Sequence, residues 1–476
     1  MFRTQVMVIL PEVLLAVSAM AILLLDLVIK RKSVFALLTC AAAAFAFFAV
    51  TGAQGAAWGG MFIADGYSSF FKAIFLISLV LPAASSAGYL DVERAGHGEY
   101  YALMLFATTG MMVMASAGDL ITVYLGLELM SLSLYVLAGF MRGSTRSNEA
   151  ALKYFLLGSF ASALLLFGIS LTYGLTGSTE IGAVASYIMS HGLSGNPALA
   201  FATILYVAAF GFKIAAVPFH MWAPDVYEGS PTPVTAFMSV GPKAAGFAVI
   251  GRVLMLALGP MTFEWTGLII ALSILSMVAG NILAIAQTNI KRMLAYSSIA
   301  HAGYVLLGIA AGGAEGLASA MSYLFIYAFM NIGAFTVVTM LTTEGVNAED
   351  LEEYSGLSKT HPLLAALMLI FMFSLTGIPP TAGFAGKFYL FSTVINAGYL
   401  WLAVIAVLMS VVSAFFYLRV VMYMYMREPG DREHRMERSF GARLALGITA
   451  LAVLALGLMP AGLIDLARSA AANFKG

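Results

Sequence analysis

Three lysines and one glutamate lie deep inside long apolar stretches of the sequence, where a charged side chain is least stable. Lys213, Lys243 and Lys387 each fall near the middle of a long apolar stretch, and Glu128 is the carboxylate at comparable depth. A lysine at the centre of a bilayer costs roughly 2.5–3.5 kcal/mol, so these side chains must face a protein interior or a water-filled cavity. An ammonium group that gains and loses a carboxylate partner can release and recapture a proton. The residues therefore predict proton transfer, with Glu128 and Lys213 as the candidate switching pair.

Four further cations in apolar stretches carry a weaker prediction. Arg252 and Arg419 are near the ends of their stretches, where a long side chain can reach the headgroups or pair locally. Lys72 is about two turns inside its stretch and close to Asp65, which favours snorkelling or pairing over a direct role. Lys153 is near the end of its stretch, which leaves a structural and a functional role equally open.

Histidines and hydroxyl groups could join the lysines into a line. His220 follows Lys213 by seven residues, which on a helix places both on one face. His301 lies in the run YSSIAHAGY, and Tyr327 and Asn331 share a face of a later stretch. Taken singly, each such residue is more often a helix–helix hydrogen bond than a relay. Together with three buried lysines they predict a hydrated polar axis.

The backbone around the lysines is interrupted. Pro218 and Pro224 follow Lys213 in GFKIAAVPFHMWAPD, and Pro379-Pro380 precede Lys387 in TGIPPTAGFAGKFYLF. Broken helices at membrane depth are tolerated only beside a cavity or inside protein. Broken helices at corresponding positions of two halves indicate an ion pathway.

The composition requires lipid as the main solvent. Of 476 residues, 61% are hydrophobic and 10% charged, whereas a soluble chain carries about a quarter charged residues. The mean hydropathy is +0.93. Zero net charge without a basic stripe argues against nucleic-acid binding. With Cys40 as the single cysteine and no dinucleotide or flavin motif, we expect no cofactor, metal or redox chemistry in this chain.

The elements that must position these residues are about fourteen transmembrane helices, each needing roughly 20 apolar residues. The first stretch exceeds the core of a cleaved signal, which is about 7–15 residues, and is followed by Lys30-Arg31-Lys32, so it is predicted to be a span. The segment 179–195 is predicted to be a loop, with an interfacial helix as the alternative. The predicted spans are 6–29, 34–51, 67–90, 100–117, 119–140, 151–175, 198–222, 232–257, 264–287, 292–312, 316–342, 361–395, 400–426 and 441–466.

The distribution of cations orients these spans. With the N-terminus outside, only Arg3, Arg468 and Lys475 fall on the outer side. The inner side receives fourteen cations, namely Lys30, Arg31, Lys32, Arg94, Arg142, Arg146, Lys291, Arg292, Lys359, Arg427, Arg432, Arg435, Arg438 and Arg443. Both termini are therefore predicted to be outside. The acidic loop 343–360 and the mixed loop 427–440 are predicted to be solvated and to touch neighbouring subunits.

The runs GFKIAAVPFHMWAPDVYEGSPTPVTAF, KRMLAYSSIAHAGY and TGIPPTAGFAGKFYLF make the chain similar over its whole length to the antiporter-like membrane subunits of respiratory complex I, the proton-pumping NADH:quinone oxidoreductase. The resemblance implies an all-α fold with two inverted five-helix repeats, spans 4–8 and 9–13, in which helices 7 and 12 are broken. Two features distinguish the chain from two sister subunits of that family. One is Lys387 in the late broken helix, and the other is an end soon after Leu466. The implied divisions are 1–99, 100–257, 258–426 and 427–476.

The resemblance also implies roles for individual residues. Glu128 and Lys213 would be the ion pair of the first half, and Lys243 the central relay. Lys387 would be the terminal site toward the periplasmic exit, while Lys153 would modulate the pair. His301 lies in the helix that corresponds to that of Glu128.

The implied function is the transfer of protons from cytoplasm to periplasm, coupled to NADH oxidation and ubiquinone reduction elsewhere in the complex. The implied location is the bacterial inner membrane, with membrane lipids and other complex I subunits as partners and no nucleic acid. A subunit of a multi-subunit cation/proton antiporter remains an alternative. In the other alternative, a structural scaffold, the charges only lock the helices.

Overall fold

The chain forms a bundle of helices. The structure is a computed structural model that describes residues 2–342, 348–429 and 439–474. Glu344, the arginines within 430–438 and Lys475, which enter the loop and charge predictions, lie outside the described residues. Within the described residues, ten helices are long and apolar enough to cross a membrane. The protein is therefore a helical membrane protein with several spans.

The described chain contains twenty-one α-helices, one small hairpin, the π-helix Gly251–Ala257 and three short 3-10 helices, Trp58–Gly60, Gly259–Met261 and Leu351–Tyr354. The first helices are α1 (Phe2–Val8), α2 (Leu10–Asp26), α3 (Val34–Gly52), α4 (Gly66–Val92), α5 (Gly98–Ala115), α6 (Leu120–Ala138) and α7 (Thr145–Thr176). The central helices are α8 (Ile181–Ser190), α9 (Pro197–Lys213), α10 (Trp222–Gly229), α11 (Thr232–Met238), α12 (Gly241–Ile250), α13 (Thr262–Ile285) and α14 (Ile290–Ala311). The last are α15 (Gly313–Leu341), α16 (Leu357–Thr360), α17 (Pro362–Thr376), α18 (Ala382–Asn396), α19 (Leu400–Met426), α20 (Phe440–Leu458) and α21 (Ala461–Ala472).

Most predicted spans coincide with helices, and the differences have local causes. The predicted span 441–466 is present but ends earlier than predicted, because α20 ends at Leu458 and Pro460, which has no backbone N–H, separates it from α21. The segment 179–195 contains the short helix α8, which agrees with the helical alternative. A two-stranded antiparallel hairpin, β1 (Gly55–Ala57) and β2 (Phe62–Ala64), was not predicted.

The predicted helix breaks are present beside Lys213 and Lys387. Helix α9 ends at Lys213, and the chain is not helical again until α10. The N–H of Val217 in this break donates to Ser276 Oγ at 2.9 Å. Helices α17 and α18 are separated in the same way, and the N–H of Gly383 donates to Ser374 Oγ at 3.0 Å. Serine side chains thus satisfy backbone groups that the breaks would otherwise leave unpaired.

Two helical hairpins, α5–α6 and α13–α14, have matching connections. Asp119 caps α6 and forms an isolated bridge with Glu180, while Asn289 caps α14 and forms one with Asp350. Each residue of the second bridge lies 170 positions after its counterpart in the first. The two hairpins therefore end on equivalent bridges.

The same offset relates the closest contacts inside these hairpins. A Cβ on Gly110 would lie 2.5 Å from the backbone N of Met130, and a Cβ on Gly280 would lie 2.7 Å from the backbone N of Ala300. Only glycine allows two backbones to approach so closely. Both hairpins are therefore packed through the same backbone contact.

Two ion pairs hold the N-terminal helices, one between two of them and one to the rest of the bundle. Lys72 on α4 pairs with Glu12 on α2 at 2.8 Å, and the two side chains are 1% and 2% exposed. Asp65, which caps α4, pairs with Arg252 at 2.7 Å. Lys72 and Asp65 are therefore not paired with each other, and each forms an ion pair with a different residue. Glu12 is a buried carboxylate that the sequence analysis missed, because an acid in the first turn of a helix is ordinary.

We expect the substitution Glu12→Gln to destabilise the bundle. Removal of one member of a buried ion pair leaves the other charge uncompensated and typically costs about 3–5 kcal/mol. The midpoint of thermal unfolding should therefore fall. The double substitution Glu12→Gln/Lys72→Met should recover most of the loss, and an unchanged midpoint in the single variant would show that the pair is not formed.

Candidate functional site

Lys213 occupies the last position of α9, directly before the break. Its Nζ donates to Ser131 Oγ at 2.7 Å and lies 5.8 Å from the centre of the Tyr135 ring. The side chain is buried, as the sequence predicted. The ammonium group is therefore held by a hydroxyl and an aromatic face of α6.

The predicted direct contact between Glu128 and Lys213 is not present. Among the described residues the two form no ion pair, and Lys213 donates to Ser131 instead. Glu128 lies one turn before Ser131 on the same face of α6. Its Oε1 is buried and has no hydrogen-bond partner in the described chain. The structure thus shows the lysine on a neutral acceptor, while the carboxylate one turn earlier on α6 does not bind it.

Lys243 lies in the first turn of α12 and reaches across to α14. Its Nζ donates to Ser298 Oγ at 2.5 Å and lies 5.9 Å from the centre of the Tyr227 ring. The side chain is 2% exposed. Like Lys213, it is held by a serine hydroxyl and an aromatic face.

Lys387, on α18, faces the end of the other half of its broken helix. Its Nζ donates to the carbonyl oxygens of Leu375 and Thr376 at 3.1 and 2.8 Å and to Ser410 Oγ at 2.8 Å. The two carbonyls belong to the last turn of α17, where the break leaves them without helical partners. A helix C-terminus carries partial negative charge, so the break itself supplies a site for the ammonium group.

His301 belongs to a buried network of hydroxyl groups. Its Nδ1 lies 2.8 Å from Tyr323 Oη, and its Nε2 lies 3.1 Å from Tyr417 Oη, which also contacts Ser297 Oγ. The predicted polar surroundings of His301 are therefore present. By the 170-residue offset, however, the counterpart of Glu128 is Ser298, and His301 is the counterpart of Ser131.

His220 is not on a helical face with Lys213, and that part of the prediction is wrong. Since α9 ends at Lys213, His220 lies in the non-helical segment before α10. Its ring is nevertheless largely buried beside the break.

Lys153 lies in a partly exposed charge network rather than with the buried lysines. It pairs with Glu149 and Asp225, each at 2.7 Å, and its side chain is 40% exposed. Arg292 pairs with the same Asp225 at 2.7 Å and with Glu228 at 2.8 Å. Partial burial opposes ionisation of Asp225, but hydrogen bonds from Lys153 and Arg292 lower its pKa below the ordinary value.

Several residues of the site were not identified from the sequence. Ser131 and Ser410 hold two of the three lysines, while Tyr323 and Tyr417 hold His301. Arg419, expected near a span end, donates to the carbonyls that end α13. Within the described chain, no group of three or more His, Cys, Asp or Glu residues could hold a metal ion.

We expect Gly158→Ala to slow the predicted proton transfer, measured as proton uptake by membrane vesicles that contain the protein. A Cβ at Gly158, on α7, would clash with the hydroxyl oxygen of Tyr135, so the ring beside Lys213 would have to move. Gly174→Ala, in the same helix, is the matched control because its Cβ would meet nothing within 4 Å. Equal proton uptake by both variants would show that the position of Tyr135 is unimportant.

Comparison with known proteins assigns the chain to a protein family. Residues 117–413 match the family described as NADH:quinone oxidoreductase/Mrp antiporter, TM. A protein of Trichlorobacter lovleyi named NADH-quinone oxidoreductase subunit N is 48% identical over 469 residues, covering 97% of this chain and 96% of its own length. A Rhizobium meliloti protein named NADH-quinone oxidoreductase subunit N 2 is 48% identical, covering 97% and 96%.

Solved structures show the same fold. A chain of respiratory complex I from Thermus thermophilus is 36% identical, with a TM-score of 0.81 and coverage of 96% of this chain and 98% of that one. A chain of the Mrp complex from Dietzia sp. is 23% identical, with a TM-score of 0.87 and coverage of 99% and 97%. At that identity the second match indicates the fold alone.

Proposed function

Because the chain belongs to the family of NADH-quinone oxidoreductase subunit N, we propose that it is a proton-translocating membrane subunit of respiratory complex I. It works as part of that enzyme, in which NADH oxidation and quinone reduction take place in other subunits. One observation supports the proposed path most strongly. Three buried lysines on separate helices are each held by neutral hydrogen-bond acceptors.

The proposed path runs from Glu128 and Lys213 through Lys243 to Lys387, with protons moving from cytoplasm to periplasm. The His301 network links the last two lysines in this path. Ser298, which holds Lys243, lies one turn before His301 on α14, and the Tyr304 ring lies 5.7 Å from the His301 ring and 4.9 Å from Lys387 Nζ. Lys153 and His220 take secondary positions, one in the partly exposed charge network and one beside the first break. Moving a charge against 100 mV requires about 2.3 kcal/mol, which rearrangement of a few charged contacts can supply.

We further propose fourteen spans arranged as two inverted five-helix repeats, spans 4–8 and 9–13. The equivalent bridges and the shared glycine contact of the two hairpins support the repeats, as do the two breaks beside lysines. The divisions are 1–99, 100–257, 258–426 and 427–476. Both termini face the periplasm in this arrangement, and the membrane is the bacterial inner membrane.

The other complex I subunits are the proposed partners, in particular the neighbouring antiporter-like subunit and the small membrane subunits, together with lipids. We propose no cofactor in this chain. A cation/proton antiporter subunit is the second candidate, because the Mrp chain shares the fold. Relatives at 43–51% identity that match 88–97% of this chain are named NADH-quinone oxidoreductase subunit N, which favours the first candidate. A sodium requirement for transport would favour the second.

We expect Lys213→Ala, Lys243→Ala and Lys387→Ala each to lower NADH-driven proton uptake by at least about tenfold, because a barrier increase of about 1.4 kcal/mol suffices for that effect. The measurement is proton uptake by inverted membrane vesicles, with NADH:quinone activity recorded in parallel. Lys359→Ala is the control, since Lys359 is exposed and pairs with Glu428 on the surface. If a complex with Lys213→Ala assembles and pumps protons with unchanged stoichiometry, the buried charges have only a scaffolding role.

A further inference from the structure

All three buried lysines have the same kind of partner. Lys213 donates to Ser131, Lys243 to Ser298 and Lys387 to Ser410, at 2.5 to 2.8 Å. The serines lie on α6, α14 and α19, each on a different helix from its lysine. None of these lysines forms an ion pair among the described residues. A serine hydroxyl thus takes the place that a carboxylate usually fills beside a buried ammonium group.

The orientation of the hydroxyl groups suits this role. Ser131 donates its own hydrogen to the carbonyl of Leu127 at 2.5 Å, and Ser410 donates to the carbonyl of Thr376 at 3.2 Å. A hydroxyl has one hydrogen and two lone pairs, so a serine that donates to the backbone keeps a lone pair for the lysine. The backbone therefore fixes each of these two hydroxyls as an acceptor.

The position of Ser298 supplies an independent argument. The 170-residue offset between the two hairpins makes Ser298 the counterpart of Glu128. In the second hairpin a lysine partner thus stands where the first hairpin has its carboxylate. The first hairpin has a carboxylate acceptor, Glu128, and a hydroxyl acceptor, Ser131, within one helical turn. Lys213 donates its hydrogen bond to the hydroxyl.

From these contacts we propose that Ser131, Ser298 and Ser410 are docking positions, that is, neutral hydrogen-bond acceptors that hold the three buried lysines. We also propose that Ser131 competes with Glu128 for Lys213. The inference rests on the proposed proton path. When Lys213 is hydrogen-bonded to Ser131, its ammonium group keeps its proton without a counter-ion. When Lys213 contacts Glu128, the two form an ion pair, which holds the proton more firmly. The serine itself neither gains nor loses a proton, and its removal leaves the ion pair as the preferred state.

The test compares Ser131→Ala with two matched variants in the intact complex. Ser131→Ala should lower proton uptake about tenfold, whereas Ser131→Thr, which keeps the hydroxyl, should restore most of it. Ser133→Ala is the control, because Ser133 lies on the same helix, is buried and donates only to the carbonyl of Leu129. Ser131→Ala activity equal to that of the Ser133→Ala control would overturn the proposal for Lys213.

A double variant separates competition from a merely structural effect. If Ser131 competes with Glu128, the effect of Ser131→Ala should shrink at least threefold in a Glu128→Gln background, because the neutral side chain no longer holds the lysine firmly. Equal fold-losses in both backgrounds would mean that Ser131 acts independently of Glu128, and would contradict the competition.

The other two serines are expected to differ in importance. Ser298 is the one hydrogen-bond acceptor of Lys243 among the described residues, whereas Lys387 keeps two carbonyl acceptors without Ser410. Ser298→Ala should therefore lower proton uptake several-fold more than Ser410→Ala. Ser413→Ala is the control on α19, because Ser413 donates to a backbone carbonyl. A smaller loss for Ser298→Ala than for Ser410→Ala would overturn this ranking and its basis.

Failure of this inference is distinguishable from failure of the proposed function. If Lys213→Ala stops pumping while Ser131→Ala and Ser298→Ala do not, the path stands and the docking positions are wrong. If the lysine variants also pump normally, the path itself is wrong.

Discussion

The structure depends on the placement of three ammonium groups inside a membrane protein, where no carboxylate of the described residues contacts them. Burial of a charge is unfavourable unless hydrogen-bond acceptors replace the water that it loses. For Lys387 the acceptors are carbonyls released by the end of α17 together with a hydroxyl. For Lys213 and Lys243 a hydroxyl on a facing helix and an aromatic ring take that place. The helix breaks and the close packing of the hairpins serve this requirement.

The two hairpins share a backbone design but differ in chemistry. Their bridges and glycine contacts coincide after a shift of 170 residues, yet Glu128 is replaced by Ser298 and Ser131 by His301. The first half therefore has a carboxylate one turn along α6 from the serine that holds Lys213. The second half has a histidine between two tyrosine hydroxyls. A proton path that uses both halves would change its chemistry near the middle of the protein.

The sequence predicted the lysines and the breaks, because a central charge and a proline in an apolar stretch both have large free-energy consequences. It did not predict the serine partners. Ser131 and Ser133 are both serines of α6 that donate to the carbonyl four residues earlier, and only the tertiary fold brings Lys213 to one of them. The error at His220 has a similar cause, since the helix ends at Lys213, five residues before the first proline.

The central claim is that Lys213, Lys243 and Lys387 lie on one hydrated path. The most direct test is a high-resolution experimental structure of the assembled complex, determined at rest and during turnover, in which ordered waters are visible. The account predicts waters that connect Lys213 to Lys243, and Lys243 through the His301 network to Lys387, in at least one of the two states. Dry apolar packing between any two of these lysines in both states would contradict it.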